Sequence, residues 1–192
     1  MFRFLTAGES HGPLMTTIIE GLPAGLTVVA ADINADLARR QGGYGRGARQ
    51  KIETDSVEIT AGVRFGKTLG SPVTLSVRNR DWMNWSGRMQ IEPLDGHAQP
   101  IPAVTIPRPG HADFTGMQKY GFLDSRPVLE RASARETAAR VALGEVASAF
   151  LRTLGIKLVT HTVAIGKVSA PADIALPRPE YVERIDEDPL RA

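Results

Sequence analysis

The sequence predicts an α+β fold, because segments typical of strands and segments typical of helices both occur along its 192 residues. Residues 2–7 and 15–22 are rich in apolar and β-branched side chains, and a short polar segment separates them, which indicates two strands joined by a turn. Residues 56–63 and 72–79 have the same strand-like character. Residues 133–155 instead place their apolar side chains at helical spacing.

The composition indicates a globular protein without a strong overall charge. Hydrophobic residues make up 42% of the chain and charged residues 23%, and the formal net charge is +2. The absence of cysteine excludes disulfides, thiolate catalysis and cysteine-bound metal centres, and it is typical of proteins from reducing compartments. No stretch is apolar for the length of a signal peptide or a membrane span, so we expect a cytoplasmic protein without a membrane partner.

The first half of the chain contains one predicted helix followed by a basic, glycine-rich segment. Asp32 is a suitable N-cap for a helix that continues through residues 33–41. The helix cannot extend into residues 42–47, where four of six residues are glycine. Residues 39–51 hold five positive side chains and no negative one. Such a run suits an anionic ligand, and a solvated charged surface is the alternative interpretation.

The second half of the chain is dominated by a long loop and the long helix. Five of the twenty residues from Ile91 to Gly110 are proline, which predicts a loop. Ser133 and Glu136 have the spacing of a capping box, and Gly155 is a natural helix stop. Residues 157–168 predict another strand, and no linker divides residues 1–192 into separate domains. The apolar stripe of the helix comprises Leu143, Val146, Ala147, Phe150 and Leu154.

Several familiar motifs fail on their context. Residues 43–48 fit a loose dinucleotide-binding pattern, but a helix rather than a strand precedes them. Residues 61–68 approach a phosphate-binding loop, but alanine stands at its first glycine and a strand pattern follows. The four histidines lack the close i, i+4 pairing of a helical zinc site, so no metal is predicted. No G-x-S-x-G elbow is present, although composition leaves a serine–histidine–acid triad open.

Three segments share one kind of chemistry. Arginine guanidinium groups and a helix N-terminus both bind phosphate, and histidine transfers protons near neutral pH. If the segments meet in the fold, they would form a site for at least one phosphate, with His11 and His111 available for proton transfer. The segments are GESHG, RRQGGYGRG, and RPGHADFTG followed by RASARE.

Each of these residues also has a structural explanation when it is considered alone. A lone histidine in a turn is more often a half-buried polar group than a catalytic one. Ser133 can simply cap a helix, and Arg39 and Arg40 can complement a helix dipole. Arg46, on the glycine-rich segment, has the least structural reason for its position. The residues assigned to packing or structure rather than to a ligand are Trp82, Trp85, His97 and His161.

Taken together, the segments resemble the chorismate synthase family. The matching blocks, in order, are GESHGPLMTTIIEGLPAG, RRQGGYGRG, RPGHADFTGMQKYG and ERASARETAARVALGEV, and the resemblance extends from Phe2 onward. It implies conversion of 5-enolpyruvylshikimate 3-phosphate to chorismate by an anti-1,4-elimination of phosphate, with reduced FMN and no net redox change. It also implies a β-α-β sandwich fold and a homotetramer of the full-length protein.

The resemblance assigns roles to individual positions. It implies that His11 protonates the departing phosphate and that His111 protonates the reduced flavin. The implied substrate-binding residues are Ser10, Arg40, Arg46, Arg108, Ser133 and Arg135. The implied cofactor-binding residues are Arg131, Ala132, Ser133, Arg40 and Arg46, the last two being associated with NADPH in members that reduce their own flavin. NADPH is expected only as a reductant of FMN, and this half of the sequence leaves flavin reductase activity open.

The sequence departs from the family in length. Family members are nearly twice as long, and their third signature would lie beyond residue 192, so we expect this chain to be impaired unless the missing half is supplied. A non-catalytic fragment that binds FMN or phosphate anions without turnover is the alternative. A nucleic-acid-binding role is disfavoured, because the basic run lacks interleaved aromatic residues other than Tyr44 and the net charge is small.

Overall fold

The computed structural model describes residues 1–42, 54–95, 101–160 and 162–169, together with the single residue Glu187. Arg46 and most of the glycine-rich segment lie outside the described residues, as do His97 and His161. The helices are α1 (Ala30–Gln41), α2 (Trp82–Trp85), α3 (Asp113–Tyr120), α4 (Arg126–Arg131) and α5 (Glu136–Thr153). Helices and strands occur together, which confirms the predicted α+β class.

A four-stranded antiparallel sheet forms the framework. Its strands are β1 (Arg3–Ala7), β2 (Leu14–Glu20), β3 (Val57–Ala61) and β6 (Val73–Arg78), and their spatial order is β1-β2-β6-β3. All four overlap segments that the sequence predicts as strands. Two short antiparallel pairs accompany the sheet, formed by β4 (Val63–Arg64) with β5 (Lys67–Thr68) and by β7 (Ala164–Ile165) with β8 (Val168–Ser169).

The register of β2 against β6 builds the buried face of the sheet. Thr17 pairs with Leu75 and Ile19 pairs with Val73, and each of these four side chains is almost fully buried. Alternate residues of a strand share a face, so these positions line the side that the helices cover. Helix α1 and helix α5 supply the opposing side chains, and the buried set on them comprises Ile33, Leu37, Ala138, Ala142, Leu143 and Val146.

The small side chains of α5 explain how closely this helix approaches the sheet. The Thr17 hydroxyl of β2 donates a hydrogen bond to the carbonyl of Ala139 at 3.4 Å. Because alanine adds little volume beyond the backbone, a helix with alanine on its inner face can pack near a strand. Two members of the predicted apolar stripe, Leu143 and Val146, are buried, whereas Phe150 and Leu154 are exposed. The predicted stripe is therefore displaced toward the C-terminal end of the true buried face.

Three details of the predicted elements are wrong. Helix α1 begins at Ala30, two residues before the proposed cap Asp32, which instead lies in the first turn. Helix α5 begins at Glu136 with no side-chain cap, so Ser133 and Glu136 form no capping box. The strand expected at residues 157–168 is reduced, within the described residues, to the two-residue strands of the β7–β8 pair. The predicted stop at Gly155 is confirmed, with φ at +73° just after the helix.

Within the ranges that the structure describes, none of the helices has the combination of length and apolarity that crossing a bilayer takes.

Gly8 is required where strand β1 turns into the segment that carries His11. Its φ is +113°, and a Cβ at this position would lie 2.4 Å from the carbonyl oxygen of Leu14. We expect Gly8→Ala to lower the free energy of unfolding by about 2–4 kcal/mol, because backbone strain and a backbone clash add. Gly25 is the matched control, since its φ is +83° but a Cβ there meets nothing within 4 Å. Urea denaturation should show a clearly smaller loss of unfolding free energy for Gly25→Ala than for Gly8→Ala. Equal losses would contradict a clash between a Cβ at position 8 and the Leu14 carbonyl.

Candidate functional site

The turn between β1 and β2 presents His11, and a buried asparagine holds its shape. Asn79 follows strand β6, and its amide Nδ2 donates to the carbonyls of Ser10 at 3.3 Å and Gly12 at 2.9 Å. The backbone N–H of Asn79 donates to the carbonyl of Pro13 at 2.9 Å. Since these bonds satisfy backbone carbonyls on both sides of His11, the turn is fixed to the end of the sheet.

The carboxylate of Glu130 on α4 binds His11. The ring Nδ1 of His11 lies 2.9 Å and 3.0 Å from the two carboxylate oxygens of Glu130, and the backbone N–H of His11 donates to Oε2 at 2.8 Å. The backbone N–H of Ser10 donates to the Glu130 carbonyl at 2.9 Å. Arg126, one turn earlier on α4, donates to Oε1 of Glu130 at 3.1 Å. The Glu130 side chain is 1% exposed, so its charge is balanced inside the protein rather than by water.

The ring of His11 lies against Trp85 at the end of α2. The two ring centroids are 3.8 Å apart with an interplanar angle of 36°. The guanidinium groups of Arg126 and Arg88 lie 5.6 Å and 5.8 Å from the Trp85 ring centroid. The indole Nε1–H donates to Asp81 at 2.9 Å, which fixes the ring plane. Trp85 was assigned to packing, and the structure places it against a candidate catalytic histidine.

Two of the candidate substrate-binding arginines share one buried carboxylate. Arg135 donates through Nη1 to Asp55 Oδ1 at 2.5 Å, and Arg40 donates through Nη1 to Oδ2 at 3.3 Å. Arg40 also bonds the Thr137 hydroxyl at 2.8 Å. Arg135 also donates through Nη2 to the carbonyl of Arg78 at 3.1 Å, next to the asparagine that holds the His11 turn. Hydrogen bonds thus connect Arg40 and Arg135 to the segment that carries His11.

Three of the candidate cofactor-binding residues, Arg131, Ala132 and Ser133, lie where α4 ends and the chain leads into α5. Arg131 ends α4, Ala132 follows it, and the Ser133 hydroxyl accepts the N–H of Arg135 at 3.3 Å. Arg131 donates through Nη2 to the Thr6 hydroxyl at 2.7 Å and through Nη1 to Glu136. Glu136 thus occupies the first turn of α5, where the sequence predicted a free helix N-terminus for an anion. Arginine side chains, rather than that helix end, supply the positive charge here.

Hydrogen bonds and ion pairs keep Glu136 ionised. Burial alone would raise the pKa of Glu136, but hydrogen bonds from Arg131 and Thr6 and the charge of Arg131 outweigh it and lower that pKa. The carboxylate therefore binds Arg131 across the physiological pH range.

His111 belongs to a second cluster at the start of α3. The carboxylate of Asp113 accepts from the backbone N–H of Arg108 at 2.9 Å and from its Nε at 3.1 Å, and it contacts Nδ1 of His111. The Nη2 of Arg108 lies 3.1 Å from the ring nitrogens of His111. Asp113 is fully buried, whereas the Arg108 side chain is 54% exposed. Both candidate catalytic histidines therefore have Nδ1 against a buried carboxylate that an arginine also binds.

The two histidine clusters lie on consecutive elements. Helix α3 packs on α4 where Gly116 faces Val128, and a Cβ on Gly116 would come within 2.5 Å of the valine side chain. Helix α4 also carries Glu130, the partner of His11. The packing of α3 on α4 therefore connects the His111 cluster to the His11 cluster. Ser133 and Ala132 follow α4 directly.

Asp113 makes the stability of the protein depend on acid pH. Burial alone would raise its pKa, but hydrogen bonds from Arg108 and His111 and the charge of Arg108 lower the pKa from 3.8 to about 2. A carboxyl whose pKa is depressed in the folded state contributes stability above its unfolded pKa, and that contribution is lost as pH falls through the folded value. Asp113→Asn should therefore be less stable than the parent chain at neutral pH, and the gap should narrow as pH falls from 3.8 to about 2.

Asp36 provides a control of opposite sign for this measurement. Burial and the neighbouring Glu145 raise the pKa of Asp36, so its ionised form disfavours folding. The stability of Asp36→Asn relative to the parent should improve as pH rises above the ordinary pKa of an aspartate. Urea unfolding of the three proteins across acid pH measures both trends. If the difference in unfolding free energy between Asp113→Asn and the parent chain does not change with pH, the lowered pKa of Asp113 is contradicted.

Sequence reasoning missed four residues of these clusters, namely Asp55, Trp85, Asp113 and Glu130. Glu130 is 119 positions from His11, and Asp55 is 80 positions from Arg135, so no spacing pattern connects either pair. Asp113 could have been identified from the sequence, because it follows His111 by two positions within RPGHADFTG. Glu130 lies beside Arg131 and near Arg126, a general signal only, whereas Asp55 lies between Glu53 and Glu58 and had none.

The fold and these clusters define an α+β protein with two clusters, in each of which a histidine contacts a buried carboxylate that an arginine also binds. A family profile described as chorismate synthase matches residues 2–191, and the chain belongs to the chorismate synthase family.

Known proteins similar to this chain carry the same name. Chorismate synthase of Thermobifida fusca is 57% identical over 197 residues, covering 100% of this chain and 50% of that protein. Chorismate synthase of Micrococcus luteus is 58% identical over 196 residues, covering 100% and 47%. A crystal structure of chorismate synthase superposes with a TM-score of 0.74 at 42% identity, covering 99% of this chain and 48% of the other. The chain thus spans about half the length of the relatives it matches.

Proposed function

We propose that this chain forms the N-terminal part of a single chorismate synthase domain, a carbon–oxygen lyase that eliminates phosphate from 5-enolpyruvylshikimate 3-phosphate to give chorismate. The observation that carries the proposal is the family match over residues 2–191, which includes every candidate site residue. The full-length protein would work in the cytoplasm as a homotetramer on this small-molecule substrate.

The described residues fit an anionic flavin as well as an anionic substrate. The side chains of Arg108 and Arg131 are 54% and 43% exposed, so their guanidinium groups remain accessible to a ligand. Arg40 is 14% exposed, and its geometry is set by Asp55 and Thr137. When bound, reduced FMN supplies an electron transiently and recovers it. NADPH would act only as a reductant of FMN.

The histidines supply the protons that this reaction needs. Phosphate leaves more readily when an acid protonates it, and His11 is the proposed acid. His111, held by Asp113 and Arg108, is the proposed proton donor to the reduced flavin. The proposed substrate-binding residues remain Ser10, Arg40, Arg46, Arg108, Ser133 and Arg135, and the proposed cofactor-binding residues remain Arg131, Ala132, Ser133, Arg40 and Arg46.

An anaerobic assay with reduced FMN and 5-enolpyruvylshikimate 3-phosphate tests the proposal. The 192-residue chain is assayed alone and fused to the C-terminal half of the Thermobifida fusca relative, with that relative as the positive control. We expect the fusion to release one phosphate for each chorismate formed and the chain alone to be impaired. A folded but inactive fusion would refute the proposed activity. FMN binding by calorimetry without turnover would favour the non-catalytic alternative.

A further inference from the structure

We propose that Glu130 is a positioning residue that holds His11 in the tautomer with hydrogen on Nδ1, so that proton exchange with the departing phosphate falls to Nε2. The assignment of Nδ1 rests on the geometry of the described residues. Its consequence for the phosphate rests on the proposed function. Glu130 would act through His11 and would not itself contact the substrate.

The contacts of the Glu130 carboxylate fix the direction of the hydrogen bond. Oε2 accepts the backbone N–H of His11, and Oε1 accepts Nη1 of Arg126. Nδ1 of the His11 ring lies within 3.0 Å of both oxygens. A carboxylate surrounded by donors can only accept, so Nδ1 must carry the hydrogen in this arrangement. The partner of one imidazole nitrogen determines the role of the other, which leaves Nε2 as the nitrogen that exchanges a proton.

The surroundings of His11 favour a fixed ring rather than a rotating one. Trp85 lies against one side of the imidazole, with 3.8 Å between the ring centroids. The backbone N–H and the ring nitrogen of His11 bind the same buried carboxylate, so rotation of the side chain would break a hydrogen bond inside the protein. As a general acid, the His11 imidazolium would give its Nε2 proton to the departing phosphate and be left as the Nδ1–H tautomer, so the contacts that favour this tautomer and fix the ring plane suit that transfer.

Glutamine at position 130 changes the tautomer rather than simply removing a contact. Its carboxamide keeps one acceptor oxygen, but the other group becomes an NH₂ donor. That NH₂ cannot serve the backbone N–H of His11 or the guanidinium of Arg126, because both are donors themselves. A deprotonated Nδ1 can accept it, since Nδ1 lies within 3.0 Å of both carboxylate oxygens, and this arrangement places the His11 hydrogen on Nε2. Glu130→Gln should therefore shift the neutral His11 population from Nδ1–H toward Nε2–H.

Long-range ¹H–¹⁵N spectra of the ¹⁵N-histidine-labelled chain measure this directly, at a pH where His11 is neutral. The His11 signals are those lost in His11→Gln. We expect the parent chain to show a protonated Nδ1 and Glu130→Gln to lose that pattern. Glu145→Gln is the matched control, since Glu145 is also buried and paired with an arginine, Arg152, on α5. It should leave the His11 pattern unchanged, which separates positioning from a general loss of stability.

Two results would overturn the inference. The first is an Nε2–H tautomer in the parent chain, and the second is an unchanged Nδ1–H pattern in Glu130→Gln. If Glu130→Gln fails to fold, the spectrum of the parent chain alone decides. The spectra need no substrate, flavin or turnover, so an inactive fusion protein with His11 protonated on Nδ1 would defeat the proposed function and leave the tautomer assignment standing.

Discussion

Replacing His11 by alanine should lower the rate of phosphate release by about 10²- to 10⁴-fold, the range typical for loss of a general acid or base. His111→Ala should cause a loss on the same scale through the flavin. Each ring is bound to a buried carboxylate through Nδ1, so alanine removes the proton-transferring group while the arginines that hold anions remain. Flavin affinity should therefore change far less than turnover. Anaerobic single-turnover kinetics and FMN calorimetry separate the two effects.

The comparison is made in a preparation that turns over, either the chain alone or its fusion to the C-terminal half of a relative. His161→Ala is the control, because no role is predicted for that histidine, and it should retain parental turnover. If His11→Ala or His111→Ala keeps parental turnover, the role assigned to that residue is wrong. If a variant loses FMN affinity in proportion to its rate, the histidine contributes to binding rather than to proton transfer.

Local patterns allowed the site to be predicted in part. His11 and His111 were predicted because their segments accompany arginines and a helix start, and the structure places His11 in a turn and His111 in a bend before α3. Arg135 and Ser133 were singled out through a helix start that the structure places three residues later. Arg46 lies outside the described residues. The roles of all these residues stay predictions, because the structure gives their neighbours rather than their chemistry.

The buried acids of the site could not be predicted, because they act across the fold. Glu130 meets His11, and Asp55 meets Arg40 and Arg135, only after the sheet and the helices have packed. A periodicity argument finds apolar faces, and it gives no partner for a polar residue on such a face. A glutamate inside a short basic helix such as α4 has the sequence pattern of an exposed residue.

The sheet was easier to predict than the helix ends. Strands β2, β3 and β6 are rich in threonine, isoleucine and valine and β1 is mainly apolar, and all four fold as their composition indicates. The start of α5 was misplaced because the Ser133 and Glu136 spacing is shared by true capping boxes, whereas here the Glu136 carboxylate binds Thr6 and Arg131. A long-range contact therefore replaced the local one that the spacing suggested.

Removing the Asp55 carboxylate should cause the largest loss of stability. The Asp55 and Arg135 side chains are 1% and 5% exposed, so neither charge is compensated by water. Asp55→Ala leaves the Arg135 guanidinium in the interior without its carboxylate partner, and breaking a buried ion pair in this way costs about 3–5 kcal/mol. The loss would also release Arg40, since Asp55 binds both arginines. Urea denaturation, with the slope compared between variants, measures the change in unfolding free energy.

Glu58→Ala is the matched control for Asp55→Ala, because Glu58 also pairs with an arginine in the same part of the chain. The Arg78 and Glu58 side chains are 67% and 46% exposed, so removing that solvent-screened pair should cost much less stability than removing Asp55. The double variant Asp55→Ala with Arg135→Met should recover part of the loss, since it also removes the cation left without its partner. If Asp55→Ala costs no more than Glu58→Ala, water or a rearranged side chain replaces the carboxylate. In that case Asp55 does not determine the positions of the two arginines.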